Sequence, residues 1–100
     1  MYDIIVVGGG LVGLATAYKT QLKFPNKKVL ILEKEKDLSL HQSGRNSGVI
    51  HSGLYYKPGS SRAKNCVLGR RELVAFSKQH NIQHDVCGKL VVATNQKELD

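Results

Sequence analysis

Three glycines and one glutamate near the start of the chain have the types and spacing needed to hold a dinucleotide. Gly8, Gly10 and Gly13 form a G-x-G-x-x-G pattern, and Glu33 follows twenty positions after Gly13. Such glycines permit a tight turn, close approach of the backbone to a pyrophosphate, and close packing of a helix on a strand. The carboxylate would accept hydrogen bonds from the adenosine ribose and repel a 2′-phosphate, so FAD or NAD is favoured over NADP. The alternative is a glycine turn with a surface glutamate.

A second group of candidate residues lies in the segment HQSGRNSGVIHSGLYY, from His41 to Tyr56. Small polar residues, two histidines and an arginine surround the short apolar pair Val49–Ile50, and two tyrosines follow. An ordinary surface loop has no need of the apolar pair, and a core strand would not tolerate the polar residues. The segment therefore has to be interpreted together with the elements that precede it.

The elements that would position the glycines form a strand, helix and strand. The β-branched run at 2–7 predicts a parallel strand buried on both faces. Helical spacing extends from Leu11 to about Phe24, where Pro25-Asn26 ends it, and 27–34 predicts a second buried strand. This order predicts a βαβ unit with a right-handed crossover. The expected buried face of the helix comprises Val12, Leu14, Ala15, Ala17, Tyr18 and Leu22.

The remainder of the chain predicts a helix and a strand after a short linker at 36–40. A turn at 57–60 precedes a helix that Ser60 or Ser61 caps and that runs to about Gln79. The segment 89–95 predicts a strand, and 96–100 predicts the start of another helix, capped near Thr94 or Asn95. The expected apolar side of the long helix comprises Ala63, Val67, Leu73, Val74 and Phe76.

These elements predict an α/β fold with a Rossmann-like dinucleotide-binding unit at 1–40. A second segment at 41–59 and a helix and strand at 60–100 lead towards the rest of a larger domain. A complete sheet of this type usually has about five or six strands. We therefore expect these residues to be the N-terminal piece of a longer protein.

Composition argues against several other classes of protein. The 41% hydrophobic content favours a packed core, and the net charge of +7 comes from basic residues scattered from Lys19 to Lys97. Scattered charges predict a solvated surface and no nucleic-acid partner, although attraction to anionic small molecules or an anionic membrane stays open. Cys66 and Cys87 match no metal spacing, so we expect reduced thiols, no metal site and a cytoplasmic location. The start Met1–Asp3 has no positive charge, which predicts no cleaved signal, and the apolar run Ile4–Ala17 is too short and too glycine-rich to predict a transmembrane segment.

The motifs resemble a family of flavoproteins. IIVVGGGLVGLATA and LILEKE are similar to the D-amino-acid oxidase and glycine oxidase superfamily of FAD enzymes. Within it, HQSGRNSGVIHSGLYYKPGS, LGRR at 68–71 and CGKLVVAT closely resemble L-2-hydroxyglutarate dehydrogenases, also called oxidases. The similarity covers essentially all 100 residues. The glycine pattern is shared by many families, whereas 41–60 and 87–90 are more specific.

The resemblance implies that the segment 41–59 wraps a flavin. Its small residues would lie beside the pyrophosphate, ribityl chain and ring, with Val49 and Ile50 along the apolar ring. We expect non-covalent FAD. The implied cofactor contacts are Gly8, Gly10, Leu11, Val12, Gly13, Glu33, Lys34, Gln42, Ser43, Asn46, Ser47, Gly48 and Val49.

The resemblance also implies oxidation of L-2-hydroxyglutarate to 2-oxoglutarate, with electrons passed to oxygen or to a quinone-type acceptor. His51 is the candidate for proton transfer, with a structural histidine as the alternative, and Tyr55 and Tyr56 are candidates for substrate contact. A related amine, amino-acid or glycerol-3-phosphate oxidase and a non-enzymatic nucleotide-binding module are the other functions considered. A peripheral contact at the cytoplasmic face of the inner membrane is considered because a quinone would lie there. The isolated residues are expected to bind FAD weakly and to be inactive.

Overall fold

A computed structural model describes residues 1–98. The chain divides into two compact units, Met1–Gly48 and Val49–Asp100. The segment 41–59 therefore contributes its first part to one unit and its remainder to the other. The three-part division at 1–40, 41–59 and 60–100 stays a prediction.

Two short parallel strands form the centre of the first unit. Strand β1, Ile4–Val7, pairs with strand β2, Val29–Leu32, so that Ile4 lies opposite Val29. The Asp3 carboxylate accepts a hydrogen bond of 2.8 Å from the backbone N–H of Lys28. This side-chain contact holds the strand starts together, and the parallel pairing agrees with the predicted βαβ unit.

Helix α1, Leu11–Lys23, connects the two strands. It begins after Gly10 and ends at Phe24, because Pro25 has no N–H to continue the backbone ladder. The Gln21 side-chain amide donates to the carbonyl of Lys27 at 2.9 Å, which closes the chain onto the start of β2. The predicted helix is therefore confirmed almost to the residue.

Burial in this unit differs from the prediction that both sheet faces are covered. Ile4 and Val6 are half-buried, whereas the alternate residue Val7 is 83% exposed. Helix α1 contacts both strands, and a single helix covers only one face of a two-stranded sheet. A β-branched run indicates that a strand is suited to burial. It does not indicate whether another element covers the second face of the sheet within residues 1–98.

The predicted buried face of α1 is also partly wrong. Ala17 is buried and Leu14 is half-buried, and their spacing of three places them on one helix face. Val12 is 80% exposed, because the covered stripe is too narrow to include it. The other predicted members of that face are exposed as well: Ala15, Tyr18 and Leu22.

The second unit contains helix α2, Ser61–Gln79, which has a defined cap at each end. Ser60 accepts a hydrogen bond of 3.2 Å from the backbone N–H of Ala63, as predicted. Asn81 has a left-handed φ of +53°, and the N–H of Ile82 donates to the Ser77 carbonyl at 2.8 Å. These contacts form a Schellman motif, in which asparagine takes the place usual for glycine.

The apolar side of α2 is broadly as predicted. Ala63, Val67, Val74 and Phe76 are half-buried, and Ser77 is buried. Leu73 is the exception, because it is 38% exposed.

The predicted strand at 89–95 is wrong for the described structure. These residues have no strand hydrogen bonding, and Leu90 is 92% exposed. A strand needs a neighbour for its backbone groups, and within 1–98 the only two strands pair with each other. The chain then forms a short 3-10 helix, Gln96–Glu98, whose Glu98 N–H donates to the Asn95 side chain. The last part of the predicted helix, 99–100, lies outside the described residues, and no helix within 1–98 could cross a membrane.

Candidate cofactor site

The glycine turn connects β1 to α1 and has the geometry that the sequence predicts. Gly8 has a φ of +107°, which favours glycine, and its N–H donates to the Leu32 carbonyl at 2.7 Å. A methyl group on Gly13 would collide with the Gly8 carbonyl oxygen. Gly8 therefore makes the turn possible, and Gly13 lets the first turn of the helix lie against it.

A groove of about 420 Å³ lies at the N-terminal end of α1. Its base is the glycine turn, and its walls are largely apolar side chains. Backbone N–H groups at a helix N-terminus favour an anion, so the groove suits a phosphate-bearing ligand with an apolar part. The lining residues are Val6, Val7, Gly8, Gly10, Leu11, Val12, Gly13, Thr16 and Ser43.

Ser43 is brought to this groove from the 3-10 helix Gln42–Gly44. Its hydroxyl oxygen accepts a hydrogen bond of 2.7 Å from the backbone N–H of Leu11. Gly10 precedes the helix without a side chain that could cap it, so Ser43 supplies the cap from a distant position. A serine hydroxyl that accepts can also donate, and its hydrogen could therefore be offered to a phosphate oxygen.

The rest of the predicted flavin segment in this unit is organised mainly by Asn46. Its amide nitrogen donates to the carbonyl oxygens of Gln42 and Ser43, at 2.8 and 3.0 Å. Its amide oxygen accepts from the N–H of Gly48 at 2.7 Å. Asn46 therefore shapes the loop itself, whereas Ser47 is exposed.

Glu33 lies just beyond β2, where the ribose acceptor was predicted. One carboxylate oxygen accepts from the N–H of Gly9 at 2.7 Å, and the other accepts from the N–H of Glu35 at 3.1 Å. The Glu35 and Gly9 N–H groups lower the pKa of Glu33, so the carboxylate is ionised near neutral pH. Lys34, the next predicted contact, is exposed.

The sequence interpretation missed three residues that surround the turn: Gly9, Leu38 and Ser39. Gly9 is the variable position of the G-x-G pattern, yet it is buried and its carbonyl accepts from the Ser39 N–H at 3.0 Å. The run of three consecutive glycines was a visible signal that no side chain is accommodated here. The contacts from Leu38 and Ser39 had no comparable signal, because they depend on the irregular chain after β2.

The remaining predicted site residues lie in the second unit. His51 is exposed, and its carbonyl accepts a hydrogen bond of 3.3 Å from the Cys66 thiol. Tyr55 is 76% exposed, and the Lys89 ammonium nitrogen lies 4.3 Å from the centre of its ring. Tyr56 and Val49 are also exposed. Within 1–98, no group of three or more His, Cys, Asp or Glu side chains could hold a metal ion.

Comparison with known families defines the class of protein. Residues 3–100 match the model of the FAD dependent oxidoreductase family, and the chain belongs to that family. The α/β fold and the family resemblance predicted from the sequence are thereby confirmed.

Individual relatives narrow the similarity further. The chain is 54% identical over 98 residues to an L-2-hydroxyglutarate dehydrogenase of Indibacter alkaliphilus, covering 98% of this chain and 25% of that protein. It is 53% identical over 98 residues to the mitochondrial L-2-hydroxyglutarate dehydrogenase of Homo sapiens, covering 98% and 21%. It is 45% identical over 100 residues to the L-2-hydroxyglutarate dehydrogenase of Escherichia coli (strain K12), covering 100% and 24%. The chain thus spans about a quarter of the length of the curated relatives it matches.

Proposed function

We propose that these residues belong to an FAD-dependent enzyme that oxidises L-2-hydroxyglutarate to 2-oxoglutarate. The observation that carries this proposal is the 54% identity, over 98 residues, to a protein named L-2-hydroxyglutarate dehydrogenase. The glycine turn and the ionised Glu33 support it, because both features suit the adenosine and pyrophosphate of a dinucleotide.

The first unit would hold the adenosine diphosphate part of a non-covalently bound FAD. The N–H groups at the start of α1 and the Ser43 hydroxyl would contact the pyrophosphate, and Glu33 would accept from the ribose hydroxyls. Asn46 would keep the loop in the shape that brings Ser43 to the groove. The bound flavin would supply a hydride acceptor for oxidation of the substrate alcohol.

The second unit would contribute residues near the reacting part of the substrate. We propose His51 as the group that accepts the hydroxyl proton, because an imidazole is a common general base and the His51 side chain is exposed. Tyr55 and Tyr56 would contact the substrate, which carries two carboxylates. The ammonium group of Lys89 beside Tyr55 supports this part of the proposal, because it places a positive charge next to the ring.

Two further features belong to the proposal. Electrons would leave to oxygen or to a quinone-type acceptor, and no nucleic acid would be bound. The protein would be cytoplasmic, and a quinone acceptor would bring it to the cytoplasmic face of the inner membrane.

Anaerobic reduction of the bound flavin tests the function directly. The natural full-length protein is mixed with L-2-hydroxyglutarate, and the visible flavin absorbance is followed. We expect rapid bleaching by the L-acid, with the D-enantiomer as the stereochemical control. A yellow protein whose flavin stays oxidised would support FAD as the cofactor and would exclude L-2-hydroxyglutarate as the substrate.

The alternative is a related flavin-dependent oxidase of amines, amino acids or glycerol-3-phosphate. Its support is the family match, which covers FAD dependent oxidoreductases as a class. Bleaching by glycerol-3-phosphate or by an amino acid, without bleaching by L-2-hydroxyglutarate, would establish this alternative. A well-folded full-length protein without flavin would instead favour a non-enzymatic module.

A further inference from the structure

We propose that Glu33 and Ser39 are positioning residues that fix the Gly9 peptide within the glycine turn before FAD binds. The proposal rests on the proposed cofactor site and adds a structural role to the ribose contact of Glu33. It makes Gly9, the variable position of the G-x-G pattern, a restricted position in this chain.

The backbone N–H and the carbonyl of Gly9 both form hydrogen bonds with the segment 33–39. Its N–H donates to the Glu33 carboxylate at 2.7 Å, and its carbonyl accepts from the Ser39 N–H at 3.0 Å. Gly9 is buried, and buried backbone groups require partners. The Gly9 N–H is thus committed to Glu33, so the groups that meet a phosphate must come from neighbouring positions.

The same segment also excludes a side chain from position 9. A methyl group built on Gly9 would lie 2.6 Å from Leu38 Cδ2 and 2.9 Å from a carboxylate oxygen of Glu33. Both separations are shorter than normal van der Waals contacts. Leu38 therefore lies against the side of the glycine turn that forms hydrogen bonds with Glu33 and Ser39.

The Glu33 carboxylate can serve the turn and the ribose together. Each of its oxygens accepts one backbone N–H, from Gly9 or from Glu35. A carboxylate oxygen has two acceptor positions, so each retains one for a ribose hydroxyl. The turn contact therefore sets the orientation in which the carboxylate meets the cofactor.

Ser39 supports the turn from an uncommon backbone conformation. Its φ is +59°, in the left-handed region that non-glycine residues seldom adopt. Its carbonyl oxygen would lie 2.6 Å from a methyl group on Gly44. Ser39 is thus held between the glycine turn and the loop that carries Ser43, which links the two parts of the proposed site.

Amide hydrogen exchange in the FAD-free full-length protein tests the proposal. Glu33→Gln retains one acceptor oxygen, so it can serve either Gly9 or Glu35 but not both. We expect Gly9 exchange to accelerate roughly tenfold and FAD binding to weaken by a similar factor. The matched control Asp37→Asn also removes an exposed carboxylate from this segment, and it should change both by less than about twofold. Unchanged Gly9 exchange both in Glu33→Gln and in Glu33→Ala, which has no acceptor oxygen, would overturn the proposal.

A modified cofactor separates the positioning role from the ribose contact. FAD that lacks both hydroxyls of the adenosine ribose is titrated into wild-type and Glu33→Gln protein. If Glu33 positions the turn, the substitution also weakens binding of this analogue by several-fold. If the substitution affects natural FAD alone, Glu33 acts only on the ribose and the proposal fails. Failure of the proposed function is distinguishable: a wrong substrate would leave flavin binding and Gly9 exchange unaffected. A wrong cofactor would leave the wild-type protein unable to bind either flavin, while Gly9 exchange could still be measured.

Two further variants test the steric restriction at Gly9 and the left-handed backbone conformation of Ser39. Gly9→Ala should weaken FAD binding at least about tenfold, and adding Leu38→Ala should recover part of the loss. Ser39→Gly keeps the N–H that contacts Gly9 and suits the left-handed φ, so Gly9 exchange should stay within about twofold of wild type. A Gly9→Ala protein that binds FAD normally would contradict the proposed restriction at this position.

Discussion

The two compact units differ in how well their observed secondary structure agrees with the prediction from the sequence. In the first unit, β1 and β2 pair with each other, and α1 connects them. In the second unit, α2 forms as predicted, whereas the apolar segment at 89–95 has no strand partner. A helix satisfies most of its own backbone hydrogen bonds, but a strand depends on a neighbour. The comparison shows that a helix can be predicted from the local sequence, whereas predicting a strand also requires knowing which strand pairs with it.

The units also differ in what their glycines do. Gly13 in α1 lies against the Gly8 carbonyl, whereas Gly69 in α2 has no atom near the position of a side chain. The same residue type in the interior of a helix therefore has two roles. Close packing requires glycine at position 13, and no steric requirement is visible at position 69.

The largest expected effect is that of Gly13→Ala. The added methyl group would collide with the Gly8 carbonyl oxygen, so the helix or the turn must move. Such overpacking usually costs about 1–3 kcal/mol of stability. We expect a lower melting temperature of the FAD-free full-length protein and loss of FAD binding in a fluorescence titration. Normal FAD affinity would show that α1 can shift without disturbing the groove.

The next effect concerns Ser43, which caps α1 from a distant loop. Ser43→Ala removes the acceptor for the Leu11 N–H, and loss of a helix cap costs about 1 kcal/mol. The melting temperature of FAD-free protein should fall, and the dissociation constant for FAD should rise. Ser47→Ala is the matched control for the melting temperature of the FAD-free protein, because Ser47 is exposed in the same loop. Equal falls in melting temperature for the two substitutions would contradict the capping role.

Acidification gives a test without substitution. Backbone N–H groups lower the pKa of Glu33 in the folded protein, so the contribution of its carboxylate is present above the unfolded pKa. That contribution is lost as the pH falls from the ordinary glutamate value of about 4.3 through the folded pKa. An NMR titration of the Glu33 side chain should give a midpoint below this ordinary value. A midpoint at or above it would mean that the Gly9 and Glu35 contacts do not persist in solution.

The parts of the site that the sequence predicts correctly are those with a local cause. Gly8 and Gly13 follow from the turn and the helix contact, and outside the site the Ser60 cap of α2 follows from the requirement for an N-cap. Ser43 was predicted to contact the cofactor, but its hydrogen bond to Leu11 joins residues 32 positions apart. No local pattern indicates such a contact. The pairing of Gly9 with Glu33 and Ser39 escaped prediction for the same reason.

Gly69→Ala sharpens the comparison between the two helical glycines. The position is within α2 and open, so alanine should stabilise the helix by about 0.5–1 kcal/mol by reducing the flexibility of the unfolded chain. The melting temperature should rise slightly, with FAD affinity unchanged. A loss of stability comparable to that of Gly13→Ala would mean that another part of the full-length protein packs against position 69.

The smallest expected effect is at Ser52 in the second unit. Its hydroxyl oxygen is buried, and no described group hydrogen-bonds to it. A buried polar atom without a partner stabilises nothing, so Ser52→Ala should change stability by less than about 0.5 kcal/mol or increase it slightly. The melting temperature of the FAD-free protein measures this directly. A clear destabilisation would show that the hydroxyl has a partner in the full-length protein, and a loss seen only with FAD bound would identify that partner as the cofactor. That result would add Ser52 to the expected cofactor contacts.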